Sequence, residues 1–308
     1  MCEEHGAHPG ADPDAVSGDA KRRGAGQIGT LGSGNHFVEV QLVDAILEPV
    51  AAEAFGLRPQ QVVVLIHTGS RGLGHQVCTD AVREMDGALA RHRIQLPDRQ
   101  LACAPQSSRE GTDYFAAMCA AANFAWANRQ ALTDTIRRVF ARHLGGGRQA
   151  ELRLVYDVAH NIAKLERFGD RTLCVHRKGA TRAFGPSSQD IPPPFRGVDQ
   201  PIFIPGSMGT ASYVLVGTDE AKDLSLASTC HGAGRAMSRT AAKKRVAGGA
   251  LRKELEGRGI VVHCPSNAEL AEEAPLAYKD VDRVVQVVAR AGLARVVARL
   301  RPIGVLKG

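Results

Sequence analysis

The sequence predicts an α+β fold, with helices and strands mixed in one compact domain spanning 1–308. Three observations point there. Short β-branched and aliphatic runs of strand length recur along the chain, such as Val62 to Ile66. Tyr114 to Leu144 contains neither proline nor glycine and is rich in alanine, the composition of a long helix. Strands and helices do not alternate in a βαβ rhythm, which argues against a purely parallel sheet. At 308 residues and 44% hydrophobic content the chain can bury a substantial core. Aromatic residues are only 5%, so that core rests on Val, Leu, Ile and Ala.

Residues 1–26 lack periodicity and read as coil or a short helix. Phe37 to Val43 alternates as a strand, with Phe37, Glu39, Gln41 and Val43 on one face. Val62 to Ile66 reads as a strand buried on both faces. It ends at His67 and a glycine-rich turn, and a helix is expected from about Gly74 to Arg91. Residues 95–112 read as a loop. In the long helix that follows, Phe115, Met118, Ala122, Trp126 and Ala127 recur at helical spacing. Gly145, Gly146 and Gly147 stop it. Leu152 to Tyr156, Leu173 to Val175, Ile202 to Ile204, Tyr213 to Val216 and Ile260 to Val262 are further strand candidates. Gly232 to Ala250 and Val281 to Ala291 read as helices, and Val296 to Leu306 as a final strand.

No apolar run reaches the ~18 residues of a membrane span, and the polar first 26 residues have no signal-peptide pattern. The seven cysteines form no C-x-x-C pair, and they read as reduced thiols of a cytoplasmic protein. The net charge of +7 weakly favours a polyanion partner. Lys21 to Arg23 form one basic cluster. Arg239, Lys243, Lys244 and Arg245, with Arg252 and Lys253, form another. Taken alone, such clusters read as solvated helix faces.

Histidines stand beside glycines at the ends of apolar runs: His36, His67, His160 and His231. Each alone reads as structural. Four in one context can surround a metal or phosphate site, since neutral imidazole suits transition metals. Gly232-Ala233-Gly234, read as opening a helix, and Pro205-Gly206-Ser207-Met208 suggest phosphate contacts. The chain has no Walker A pattern, no G-x-G-x-x-G fingerprint and no K-x-D-G motif, so a nucleotide-activating nucleophile would not be lysine.

At these residues the chain resembles the RtcB RNA ligase family. The similar segments are G-N-H-F-V-E at 34–39, H-T-G-S-R-G-L-G-H at 67–75, D-V-A-H-N-I-A at 157–163 and V-H-R-K-G-A-T-R-A-F at 175–184. P-G-S-M-G-T-A-S-Y at 205–213, C-H-G-A-G-R at 230–235, A-Y-K-D-V-D at 277–282 and the closing R-L-R-P-I-G-V-L-K-G at 299–308 complete the set, in family order. The resemblance implies a GTP- and Mn²⁺-dependent ligase of an RtcB-like domain. Its substrates would be RNA 3′-phosphate or 2′,3′-cyclic phosphate ends and 5′-hydroxyl ends, in tRNA splicing or RNA repair. It makes His231 the nucleophile, carrying GMP as a covalent phosphoramidate. His36, His67 and His160 would bind two Mn²⁺ ions.

Nucleotide contacts would fall on Asn35, His36, Phe37, Val38 and Glu39, then on His160 and Asn161. Pro205, Gly206, Ser207, Met208 and Ser212 would add to them, as would His231, Gly232, Ala233 and Gly234. Glu39 and Lys307 would select guanine, with Phe37 and Tyr278 packing on the base. Arg71, Arg235 and Arg239 would contact RNA phosphates. The family's D-x-G-C motif, whose Asp and Cys complete the metal site, has no counterpart here. The resemblance therefore places it before Met1. The alternatives from other classes are a non-catalytic GTP- or RNA-binding remnant and a metal-dependent phosphoesterase.

Overall fold

A ten-residue strand, β1 (Phe37–Ile46), runs beside the thirteen-residue closing strand Ala294–Leu306, and this pair forms the spine of the molecule's main sheet. The computed structural model describes residues 1–145, 147 and 151–308; Gly146, expected among the helix-stopping glycines, lies outside the described residues. The mixed α and β architecture is as the sequence predicts. The chain divides into two compact units: Met1 with Leu31–His67 and Leu152–Gly308, and Cys2–Thr30 with Thr68–Glu151.

In chain order the first unit contains β1, β2 (Val62–His67), β3 (Asn161–Phe168), β4 (Arg171–Lys178), β5 (Ala180–Arg182) and β6 (Pro201–Ile204). Strands β7 (Ser212–Gly217), β8 (Ser228–Cys230), β9 (Val261–His263) and β10 (Ala294–Leu306) follow. The main sheet has the order β2-β1-β10-β7-β6, and β9 adds to β10 in parallel. Strand β10 pairs with β7 up to Leu300 and with β9 from Gly304. Pro302 therefore falls between the two partners, at a register shift on the β1 side, where its missing N–H breaks no ladder. Two small antiparallel pairs complete the strands: the β3–β4 hairpin, turning at Gly169 and Asp170, and β5 with β8.

The core of this unit lies on the sheet's faces. Val43, Phe55, Tyr156, Phe195, Val214 and Val297 pack in one cluster. Ile202, Ile204, Leu215, Val281 and Val285 form a second, and Met208, Leu251, Leu255 and Leu270 a third. The clusters are largely aliphatic, as the composition requires.

The second unit is helical. Helix Arg71–Arg91 packs with helix Gly18–Gly24 and helix Arg109–Leu144 around Val16, Ala20, Leu73, Val77, Ala117 and Ala121. Ser108 caps the long helix by accepting from the Gly111 N–H, so it starts at 109, inside the expected loop. Its buried face runs through Ala117, Ala121, Ala125, Asn128 and Leu132, and Ala127, expected on that face, is exposed. Trp126, expected on that face, is buried.

Three sequence expectations are corrected. Strand β2 is at the sheet edge and only partly buried, with Val62 exposed. An aliphatic run does not distinguish an edge from a centre. Leu152 to Tyr156 is extended but joins no ladder, although Tyr156 is buried in the core. The helix expected over Gly232–Ala250 breaks into Arg239–Arg245 and Gly248–Gly257. Before it, Ala236 N–H donates to the Ala277 carbonyl and Arg235 bridges to Tyr278, so this stretch is tied to another segment and not to a helix of its own. At Gly248 a Cβ would stand 1.8 Å from the Asn267 carbonyl oxygen, so the second helix starts where only glycine fits.

Candidate functional site

Four histidines meet in the first unit at one end of the main sheet. His67 ends β2 and pairs with Phe37, the first residue of β1, so His36 and His67 sit at the same sheet end. His160 immediately precedes β3 and His231 immediately follows β8. The imidazoles of His160 and His231 stack at 4.0 Å between centroids, inclined by 16°. His67 lies 5.0 Å from His160, 6.0 Å from His231 and 6.2 Å from His36. Phe37 stacks on His67 at 5.3 Å, so this ring packs on a site histidine.

The backbone between β4 and β5 organises the cluster. Gly179, at φ +67°, donates its N–H to the His160 carbonyl at 2.8 Å and to Asn161 Oδ1 at 3.1 Å. Its carbonyl accepts from the His231 N–H at 3.4 Å, and a Cβ there would stand 3.6 Å from the His231 ring. A side chain at this left-handed position would be strained, and its Cβ would meet the imidazole in ordinary van der Waals contact. Arg177 anchors the approach to His231. Its buried guanidinium pairs with Glu166 through two 2.7 Å contacts and donates to Ser228 Oγ at 2.9 Å and the Leu226 carbonyl at 3.1 Å. Leu226 and Ala227 both have positive φ, so this clamp holds an unfavourable turn directly before β8.

Burial keeps His67, His160 and His231 neutral. It holds the His67 imidazole well below its ordinary range, helped by the charge His160, His231, His36 and Lys307 would place beside it. Burial pushes His160 down to about 3, with His231 contributing, and lowers His231 as well. His67, His160 and His231 offer ligand atoms within 4.8 Å of one another. His160 Nδ1 is buried without a hydrogen-bond partner. Neutral nitrogen donors and an orphaned nitrogen fit a borderline transition metal better than Mg²⁺, which prefers oxygen. The expected metal set was His36, His67 and His160. The geometry instead gathers His231 with the last two, and His36 stands beside His67.

A pH dependence follows. Folded His160 takes its proton near pH 3, and an ordinary imidazole does so near 6.5. Between these values the unfolded chain holds more protons, so stability falls as pH drops from about 6.5 toward 3. Melting curves of metal-free protein across this window should show that decline, and His160→Gln should flatten it. An unchanged acid slope would place the acid lability elsewhere.

Beside the histidines lies a buried polar chain. Glu39, Gln41, Ser212 and Lys307 are all less than 5% exposed. Gln41 Nε2 donates to the Glu39 carboxyl and, at 2.9 Å, to Ser212 Oγ, which accepts from the Gly206 N–H at 3.4 Å. Burial pushes the Glu39 carboxyl up to about 8, against the opposing pull of Gln41 and the Lys307 charge. Lys307 Nζ donates to the Gly34 carbonyl at 2.6 Å. Ala233 N–H donates to the Pro205 carbonyl at 3.1 Å, tying the two glycine-rich loops together. Met208 and Val38 are core residues, so only their backbone faces outward chemistry. No helix begins at Gly232–Gly234, so any anion contact there comes from loop N–H groups.

Other expected residues are placed differently. Asn35, Asn161 and Gly234 are exposed, and Ser207 is partly buried, its N–H bound to Thr210 Oγ1. Arg71 belongs to the second unit, where its Nε donates to Thr30 Oγ1. Arg235 is engaged internally: its guanidinium pairs with Glu273 at 3.2 Å, donates to the Glu272 carbonyl and lies over Tyr278. Arg239 pairs with Glu273 at 3.1 Å while half exposed. Tyr278 donates to the Glu273 carboxylate. Sequence reasoning missed Gly179, Arg177 and Gln41. Arg177 and Gly179 lie in the V-H-R-K-G-A-T-R-A-F segment at 175–184, but their roles come from partners far along the chain.

With this geometry in hand, comparisons with known proteins are informative. The family described as "tRNA-splicing ligase RtcB" matches residues 1–308. The chain is 55% identical over 312 residues to the tRNA-splicing ligase RtcB of Archaeoglobus fulgidus, covering all of this chain and 65% of that protein. It is 55% identical over 312 residues to the protein of the same name from Pyrococcus horikoshii, covering 99% of this chain and 36% of that protein. It is 53% identical over 311 residues to the RNA-splicing ligase RtcB of Mycobacterium tuberculosis, covering all of this chain and 71% of that protein. The chain thus spans two thirds or less of the two archaeal relatives.

Proposed function

The chain belongs to the RtcB family, and from that premise we propose that it is a GTP- and Mn²⁺-dependent RNA ligase of the cytoplasm. It would join RNA 3′-phosphate or 2′,3′-cyclic phosphate ends to 5′-hydroxyl ends. The observation that supports this most is the neutral imidazole of His231, stacked at 4.0 Å on His160 and held through Gly179. In this reading residues 1–308 work as one ligase domain on tRNA halves or broken RNA ends.

His231 attacks the α-phosphorus of GTP with its unprotonated ring nitrogen. A nitrogen–phosphorus bond forms, the bond to the β-phosphate bridging oxygen breaks, and pyrophosphate leaves. The lowered pKa of His231 keeps the lone pair available, and Gly179 fixes the ring's orientation. GMP passes from His231 to the RNA 3′-phosphate, giving that phosphate a leaving group. The 5′-hydroxyl then attacks it and GMP departs. His67 and His160, with His36 beside them, would hold Mn²⁺, which supplies charge neutralisation and polarisation of the phosphates. The direct test is acid-labile, alkali-stable label on His231 after incubation with α-labelled GTP and Mn²⁺.

Guanine selection falls to Glu39 and Lys307. A carboxylate accepts from guanine N1 and N2, and an ammonium donates to O6. Adenine presents the opposite polarity and would leave both buried charges unpaired. Glu39→Gln and Lys307→Ala should each cost roughly 1–3 kcal/mol of GTP-over-ATP discrimination. Because Glu39 holds its proton up to about pH 8, binding guanine requires its ionisation. GTP affinity should therefore rise with pH to about 8, and Glu39→Gln should flatten that rise. Unchanged discrimination and an unchanged pH profile in titrations of both variants would remove these residues from the base pocket.

A further inference from the structure

Strand β3 leaves the histidine cluster at Asn161 and β4 returns to it at Lys178, so their hairpin runs outward from the site. The pairs Asn161–Lys178, Ala163–His176, Leu165–Cys174 and Arg167–Thr172 share one face. On that face Asn161, Leu165, Arg167, Thr172, His176 and Lys178 are exposed. The opposite face is buried through Ile162, Glu166, Val175 and Arg177. Alternation thus separates the charges by role. Glu166 is consumed by Arg177 on the inner face, so no carboxylate of either strand offsets the outer cations. Asp170 is confined to the turn beyond Arg167.

The outer face begins at the chemistry. Lys178 pairs with Asn161, the residue after His160, and precedes Gly179, whose backbone bonds to both His160 and His231. From Lys178, residues of this face recur every ~7 Å, two strand steps, over roughly 24 Å to the hairpin tip. Arg167 spends only its Nε on the Gly169 carbonyl, at 3.2 Å, leaving its terminal nitrogens for a ligand. His176 lies in the middle, its imidazole 3.5 Å from Cys174 Sγ, and Leu165, 51% exposed, adds an apolar surface. Cations toward both ends of this face, with buried Ala163 and half-buried Cys174 among its exposed residues, suit an extended polyanion carrying planar bases.

We propose that the outer face of the β3–β4 hairpin is the track for the single-stranded RNA whose terminal phosphate enters the histidine cluster. This rests on the ligase reading for the identity of the occupant. The strip's charge complementarity and its continuity with the cluster argue for RNA. Arg167 grips the backbone several nucleotides from the end, and His176 and Leu165 contact the intervening residues.

The test is fluorescence anisotropy of a labelled single-stranded RNA ending in a 3′-phosphate, titrated with the full chain at several salt concentrations. Arg167→Ala should weaken binding about 3- to 10-fold, and Arg167→Glu more. Each should lower the slope of log affinity against log salt by ~0.7. His176→Ala, which leaves the fold's buried pairs intact, should weaken binding about 2- to 5-fold. Arg290→Ala, at an exposed position at the end of the helix Val281–Arg290, serves as the control and should change nothing. Wild-type affinity and salt slope in the Arg167 and His176 variants would overturn the proposal, as would absence of RNA binding by the unaltered chain. Failure of the ligase reading shows separately, as no label on His231 of the unaltered protein given α-labelled GTP.

Discussion

A His231→Ala variant incubated with α-labelled GTP and Mn²⁺ is expected to carry no acid-labile label and to lose sealing activity by at least about three orders of magnitude. The size of the loss follows from the role proposed for the imidazole. A 3′-phosphate has no leaving group until a nucleotide is attached to it, so every later step depends on the covalent intermediate. No neighbouring group substitutes easily. His160 is stacked on the same ring, but it is tied to Gly179 through its own carbonyl and lies deeper. Cys230, next in sequence, has its thiol pushed up by burial and is a poor nucleophile at neutral pH. Pre-formed RNA carrying a guanylylated 3′-phosphate separates the roles: His231→Ala should still seal it to a 5′-hydroxyl end. Label retained by the variant, or equal loss on the activated RNA, would move the nucleophile to another residue.

The cluster was legible in the sequence because its four histidines each stand next to glycines at the end of an apolar run, and strand ends opening into such turns are where sites form. The β1, β7 and β10 strands and the long helix were legible for the same reason, since their periodicity is local. What was not legible depends on partners distant in sequence. Gly232–Gly234 has a composition that can open a helix, yet Ala277 and Tyr278 bind the residues that follow. Val62–Ile66 is as aliphatic as a central strand, yet no neighbour pairs with its outer edge among the described residues. Gln41 reads as a polar residue on a strand face, and only the fold shows it bridging Glu39 to Ser212. Arg177 likewise becomes meaningful only when Glu166 and the 226–228 turn are brought to it.

Removing His160 or His67 is expected to weaken Mn²⁺ binding by roughly 100-fold, the scale of losing an organising ligand, whereas His231→Ala should cost less than about tenfold. The three imidazoles lie within reach of one ion, so geometry alone does not rank them. The ranking comes from chemistry: a lone pair that binds an ion is not available to attack phosphorus. On the proposed mechanism the His231 ring must act as nucleophile and is a poor permanent ligand, so His67 and His160 are expected to carry the binding. Charge sets the number of ions. The cluster supplies neutral nitrogens, and two close cations need anionic ligands between them to offset repulsion. We therefore expect one tight Mn²⁺ in the absence of nucleotide and a second, at His36, only when GTP contributes its phosphates. Calorimetric titration with and without GTP reads both numbers. Two tight sites without nucleotide would reveal an anionic ligand beyond the histidines. Equal losses for His67→Ala, His160→Ala and His231→Ala would mean that His231 is a resident ligand, which GTP must displace before the ring can attack.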